Sequence, residues 1–217
     1  MKNLLIKDLR LAVSPLSWCF LAAALLTLVP GYPILLGAFF VCLGLFQTFQ
    51  NAREANDVLY TALLPVKKSD VVAARYVLVC FFELLALALM AALTAVRMTA
   101  LAGGKAYAEN ALMNASPVFL GFALLIFAAF NALFVGGFFR SAYRLGIPFL
   151  TFGVAAALLV FAGEALHHLP GMAYLNAPAG EHLGGQFLFL LTSAAAYAGA
   201  TALSCRASKR RFERIDL

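Results

Sequence analysis

Few residues in this chain are of a type that does chemistry, and their surroundings decide which chemistry is open to them. Glu83 is the only acid well inside a long apolar run. A carboxylate there is costly and faces a bundle interior or a water-filled cavity. Two readings follow: Glu83 lines a path or a subunit contact, or it is a protonated or hydrogen-bonded acid that locks helices together. Asn131, deep in a later apolar run, is a conceivable partner. His167, His168 and His182 share a polar stretch with Glu164 and Glu181. Their spacing matches no metal-ligand pattern, so exposed side chains on a loop are the simpler reading. Cys19, Cys42, Cys80 and Cys205 lie in or at the ends of apolar runs and read as small hydrophobes. Gly103-Gly104-Lys105 lacks the other residues of a phosphate loop, and neither an HExxH nor a G-x-S-x-G motif occurs. The sequence therefore offers no catalytic residue, no cofactor site and no metal site.

The elements that position these residues belong in a membrane. Of the 217 residues, 64% are hydrophobic and 12% charged, about half the charge of an ordinary soluble domain. Such a chain lacks the polar surface to cover a water-soluble globule. Its net charge of +6 gathers at the ends of apolar runs and in the C-terminal tail. That distribution reports orientation in a bilayer rather than nucleic-acid binding.

Six spans are predicted, at about 16–29, 34–49, 76–96, 117–139, 146–166 and 186–205. Ahead of them, residues 1–13 alternate apolar and basic positions and read as an interfacial helix. Ser14-Pro15 starts the first span, as cap and first helical residue. That span reaches only about 21 Å, so it either borrows residues from the preceding segment or sits in thinned bilayer. Pro30-Gly31-Tyr32-Pro33 turns the chain into the second span, which makes the pair a hairpin rather than a cleavable signal. Ala195 and Gly199, four apart in the sixth span, form a small-residue face suited to close helix contact. Residues 206–217 are a basic tail drawn to anionic lipid. Six spans put both termini on one side. That side then holds fourteen of the 16 Lys and Arg residues, leaving Arg97 and Lys105 on the other. The bias places both termini in the cytoplasm.

The polar stretch from Arg53 to Tyr76 lies between the second and third spans. Val58, Leu59, Ala62 and Leu63 fall at helical spacing. Arg53 and Asp57, four apart, can pair across a turn. Pro65 stops this helix, Lys67 and Lys68 make a basic elbow, and Ser69 caps a new helix with Asp70 in its first turn. The physical reading is an amphipathic helix along a membrane face, then re-entry into lipid.

The order Leu64-Pro65-Val66-Lys67-Lys68, then Asp70-Val71-Val72 and Arg75-Tyr76, resembles the signature of small bacterial type 2 ABC exporter permeases. The resemblance implies an all-α integral membrane protein with six transmembrane helices, an N-terminal interfacial helix and a cytoplasmic coupling helix within 51–70. It further implies a permease subunit that pairs with a second permease and docks on a separate ABC ATPase in the bacterial cytoplasmic membrane. The coupling residues would be Arg53, Glu54, Asp57, Lys67, Lys68, Asp70 and Arg75. In that family the loop after the fifth span, here 167–185, often dips back into the membrane. A competing reading is a membrane-embedded enzyme or accessory assembly protein whose basic loop binds lipid headgroups.

Overall fold

A chain crossing lipid must satisfy its backbone internally, and helices do so within a single segment. The computed structural model describes residues 2–62, 66–102, 104–108, 110, 112–141, 144–177 and 182–214. Among them helices are the only regular structure.

Helix α1 (Lys2–Lys7) runs into a π-helical turn, Asp8–Ala12. Ser14 then caps α2 (Pro15–Leu21) by accepting from the Leu16 amide at 3.1 Å, with Pro15 at the first position. Helix α2 continues as a 3-10 helix, Ala22–Leu28. The chain bends by 84° between Leu4–Arg10 and Pro15–Leu28, and the two pieces are long and apolar enough for one span only when taken together. The 3-10 helix that continues α2 adds reach, since it rises about 2.0 Å per residue, against 1.5 Å in an α-helix.

Helix α3 (Leu36–Glu54) ends at Ala55 and Asn56, where Asn56 takes a left-handed φ of 49°. Asparagine tolerates that conformation because its short side chain bonds locally. The break starts a separate short helix, α4 (Asp57–Ala62), at Asp57. Residues Leu63, Leu64 and Pro65, including the expected proline stop, lie outside the described residues. Helix α5 (Lys68–Thr99) begins on an extended Lys67 that makes no side-chain cap. Ser69 therefore sits inside the first turn rather than capping it.

A short helix, α6 (Lys105–Ala108), precedes α7 (Pro117–Arg140). Ser116 caps α7 by accepting from the Phe119 amide, and a π-helical segment, Phe130–Val135, interrupts it. Helix α8 (Gly146–Leu166) and a 3-10 turn, Ala173–Asn176, lead to α9 (Leu183–Glu213). Helix α9 runs unbroken through most of the basic tail.

By length and apolarity α5, α7, α8 and α9 can each cross a membrane, and the bent α1–α2 pair makes a fifth candidate. Helix α3 is not among them, because Gln47, Gln50, Asn51 and Arg53 make its last turns polar. Helix α7 is the centre of the bundle, with 78% of its apolar window buried, against 11% for α9. Its inner face meets a phenylalanine cluster. Phe49 of α3 stands 5.1 Å from Phe134 and 5.0 Å from Phe138, while Phe152 of α8 stands 5.1 Å from Phe130. In lipid such rings hold helices by dispersion and shape rather than by escape from water.

The α7–α9 contact is made by small residues, but on the opposite partner from the one expected. Ala195 and Gly199 are exposed, and a methyl on Gly199 would meet nothing. The close approach is at Gly121 and Gly136 of α7. A methyl on Gly136 would come within 2.6 Å of Ser204 Oγ.

Candidate functional site

A charged junction ties α1, α4 and α5 together at one end of the bundle. The π-helical turn after α1 carries Asp8, the break at Asn56 aims Asp57 as the first residue of α4, and Arg75 lies two turns into α5. Lys7 Nζ donates to Asp57 Oδ1 at 2.8 Å and to Thr61 Oγ1 at 2.8 Å. Arg75 Nη2 donates to Asp57 Oδ2 at 3.0 Å, and Arg75 Nε is 3.5 Å from Asp8 Oδ2. Lys7 also lies 3.3 Å from Asp8. Two cations and two anions therefore alternate around one small volume.

Arg75 is 4% exposed and Asp8 3%, so the pairing is largely shielded from water. The Arg75 guanidinium sits 5.6 Å from the centre of the Phe49 ring, a cation–π contact with the end of α3. Breaking such a buried set by removing one member strands the others.

The seven expected coupling residues divide here. Asp57 and Arg75 meet each other in the junction. Arg53, Glu54 and Lys67 are exposed, and Lys68 and Asp70 are half-buried outside it. Arg53 does not pair with Asp57, because the helix breaks between them. Lys7, Asp8 and Thr61 were not singled out from sequence. The adjacent Lys7 and Asp8 in an apolar segment were a visible signal, but their partners lie about 50 and 67 positions away and no local rule supplies them.

A polar seam runs inside the bundle. Asn131, in the π-helical segment of α7, donates through Nδ2 to Glu83 Oε2 at 2.8 Å and to Thr201 Oγ1 at 3.1 Å. Tyr197 donates its hydroxyl to the same Glu83 oxygen at 2.8 Å. Glu83 and Asn131, the two intramembrane polar candidates, are thus in direct contact and fully buried. The Asn131 carbonyl accepts from Ser204 Oγ at 2.8 Å and from the Tyr76 hydroxyl at 3.4 Å. Tyr76 also meets Ser204 Oγ at 2.7 Å and Ser208 Oγ at 3.1 Å. Tyr197, Thr201, Ser204 and Ser208 recur at helical spacing along α9, a stripe readable in the sequence. Glu83 Oε1 and Asn131 Oδ1 have no hydrogen-bond partner among the described residues. A π-helical segment carrying a buried polar residue is a frequent mark of a functional position.

At the opposite end, described residues of different segments are joined by hydrogen bonds. Arg97 donates to the Thr27 carbonyl at 2.7 Å and to Asn114 Oδ1 at 3.0 Å, and lies over the Tyr107 ring at 4.6 Å. Glu164 accepts from the Met113 amide at 2.8 Å, and Asn176 Oδ1 accepts from the Asn114 amide at 2.7 Å. The rings of His167 and His168 lie 4.0 Å apart. Among the described residues no three His, Cys, Asp or Glu side chains converge on a metal-sized space. Glu181 lies outside them.

No curated protein sequence and no solved structure matches the chain. The family model described as "ABC-2 family transporter protein" matches residues 3–206, nearly the whole length. With its apolar helices, that match makes the chain a multi-pass helical membrane protein and a permease of the ABC-2 transporter family.

Proposed function

We propose that this chain is the membrane-spanning subunit of an ATP-driven exporter in the bacterial cytoplasmic membrane. It works with a separate ABC ATPase and a second permease subunit, identical or paralogous. Helix α2 with its 3-10 continuation and helix α3 serve as the first two of six spans. The basic ends, including the elbow at Lys67 and Lys68 and the C-terminus of α9, face the cytoplasm by the positive-inside rule.

The observation that carries the reading is the tie between α4 and α5 through Asp57 and Arg75. A helix that docks on an ATPase must pass its displacement to a span, and a buried ion pair is stiffer than a loop. The exposed Arg53, Glu54 and Lys67 then remain free to meet the ATPase, while the junction transmits the push. The polar seam links α5, α7 and α9, so a shift of α5 reaches the other spans through hydrogen bonds with more than one possible arrangement.

Isolation of the tagged full chain in mild detergent should recover an ABC ATPase with it. The double variant R53E/E54K should lose most of that recovery while the chain itself is produced normally. Recovery from the variant equal to wild type, or none from the wild type, counts against the proposal.

A further inference from the structure

The ends of α7, α8 and α9 form an open cavity of about 470 Å³ whose lining includes Arg140, Arg144 and Arg211. Phe139 and Phe212, the immediate neighbours of Arg140 and Arg211, are buried and their rings lie 5.6 Å apart. That contact holds the two arginines at one level on different helices. Ser141 donates to the Arg144 carbonyl at 3.2 Å, which holds Arg144 at the same rim. No acidic side chain pairs with any of the three arginines among the described residues. Three like charges around one cavity repel one another, so the site is electrostatically incomplete without an anion. Guanidinium groups match phosphate oxygens in geometry as well as charge.

The remaining walls show what the anion is attached to. Leu133 and Ile147 line the same cavity. From Ile147 an apolar stripe continues along α8 through Leu150, Val154, Leu158 and Phe161, at 68, 67, 56, 64 and 72% exposure. A ligand with its phosphate among the arginines would lay a hydrocarbon tail along that stripe. Basic pockets between transmembrane helices at the cytoplasmic side are suited to anionic headgroups.

We infer that the α7–α8–α9 cavity is a binding site for one anionic phospholipid, gripped at its phosphate by Arg140, Arg144 and Arg211, with an acyl chain on α8. The site does not depend on the ATPase partnership, and neither Glu83 nor the Asp57–Arg75 junction takes part in it.

Native mass spectrometry of the full chain in detergent tests this after addition of phosphatidylglycerol or phosphatidylcholine, which share chain lengths but differ in net charge. Wild type should retain phosphatidylglycerol in preference. R211Q should cut retention about five-fold, and R140Q/R144Q should cut it further. R210Q removes the same charge one residue away, outside the cavity, and should leave retention unchanged. Since Arg211 is exposed, R211Q decides the matter if the double variant fails to fold. Equal effects of R210Q and R211Q would mean diffuse surface charge and overturn the site. So would equal retention of the two lipids. Complete displacement by glycerol 3-phosphate at the concentration of the lipid would show a free-phosphate site and overturn the lipid assignment.

Discussion

Arg75 of α5 donates to Asp57 of α4 at 3.0 Å, on the same carboxylate that Lys7 holds from the other side. One carboxylate thus joins the N-terminal helix, the short helix after the second apolar segment and the first of the long apolar helices. Reversing its charge would set three cations together. Asp57 is therefore a structural keystone as well as a candidate for coupling, and the two roles separate by substitution.

Asp57→Ala leaves Arg75 and Lys7 to share the Asp8 carboxylate alone and should destabilise the fold by about 3 kcal/mol. Lys7→Ala, at the wetter edge of the junction, should cost about 1 kcal/mol or less. Thermal unfolding of the full chain in detergent gives the comparison. Equal, small losses would show that the junction is not a buried pair in solution.

The polar seam predicts graded effects. Tyr197→Phe removes one donor to Glu83 and should cost about 0.6–1.7 kcal/mol, the range of single hydrogen bonds between membrane helices. Asn131→Leu removes the contacts to both Glu83 and Thr201 and should cost more. Unfolding midpoints in one detergent would rank the two, and the reverse order would contradict the observed network.

The helix-packing assignment is tested at two glycines. Gly136→Ala places a methyl 2.6 Å from Ser204 Oγ, whereas Gly199→Ala meets open space. The first should lower the yield of folded protein and the second should not. Ser204→Ala removes the Oγ that the new methyl meets and should restore part of the loss in the Gly136→Ala background.

These contrasts show what the sequence could and could not reveal. Apolar run length exposed the long helices, because lipid demands about 20 apolar residues whatever the tertiary fold. Glu83 and Asn131 stood out as polar residues where polarity is costly, and they are bonded to each other. Tyr197, Thr201, Ser204 and Ser208 could have been added from their helical spacing. The junction was hidden, since the left-handed Asn56 that separates Arg53 from Asp57 is a local choice that propensity does not force. The small-residue face was misread because Ala195 and Gly199 show only that close contact is possible, while shape complementarity placed it at Gly121 and Gly136 instead.

The proposed orientation rests on the basic bias. In a chain with its four native cysteines replaced, a cysteine at Lys68 should be shielded from an impermeant thiol reagent in intact cells, and one at Lys105 should react. Labelling of both from outside would contradict the six-span proposal.

The central claim is that α4 passes the ATPase's motion to α5 through Asp57 and Arg75. The full chain, reconstituted in liposomes with its partner ATPase, gives the most direct measurement: ATP hydrolysis per assembled complex. Asp57→Asn keeps the size of the side chain but removes the charge, and its one amide oxygen can accept from Lys7 or from Arg75 but not from both. It should lower permease-dependent stimulation at least about tenfold, because a desolvated charge pair is worth a few kcal/mol. Counting hydrolysis per assembled complex separates this loss from any loss of folded protein. Full stimulation by a correctly assembled Asp57→Asn complex would contradict the claim.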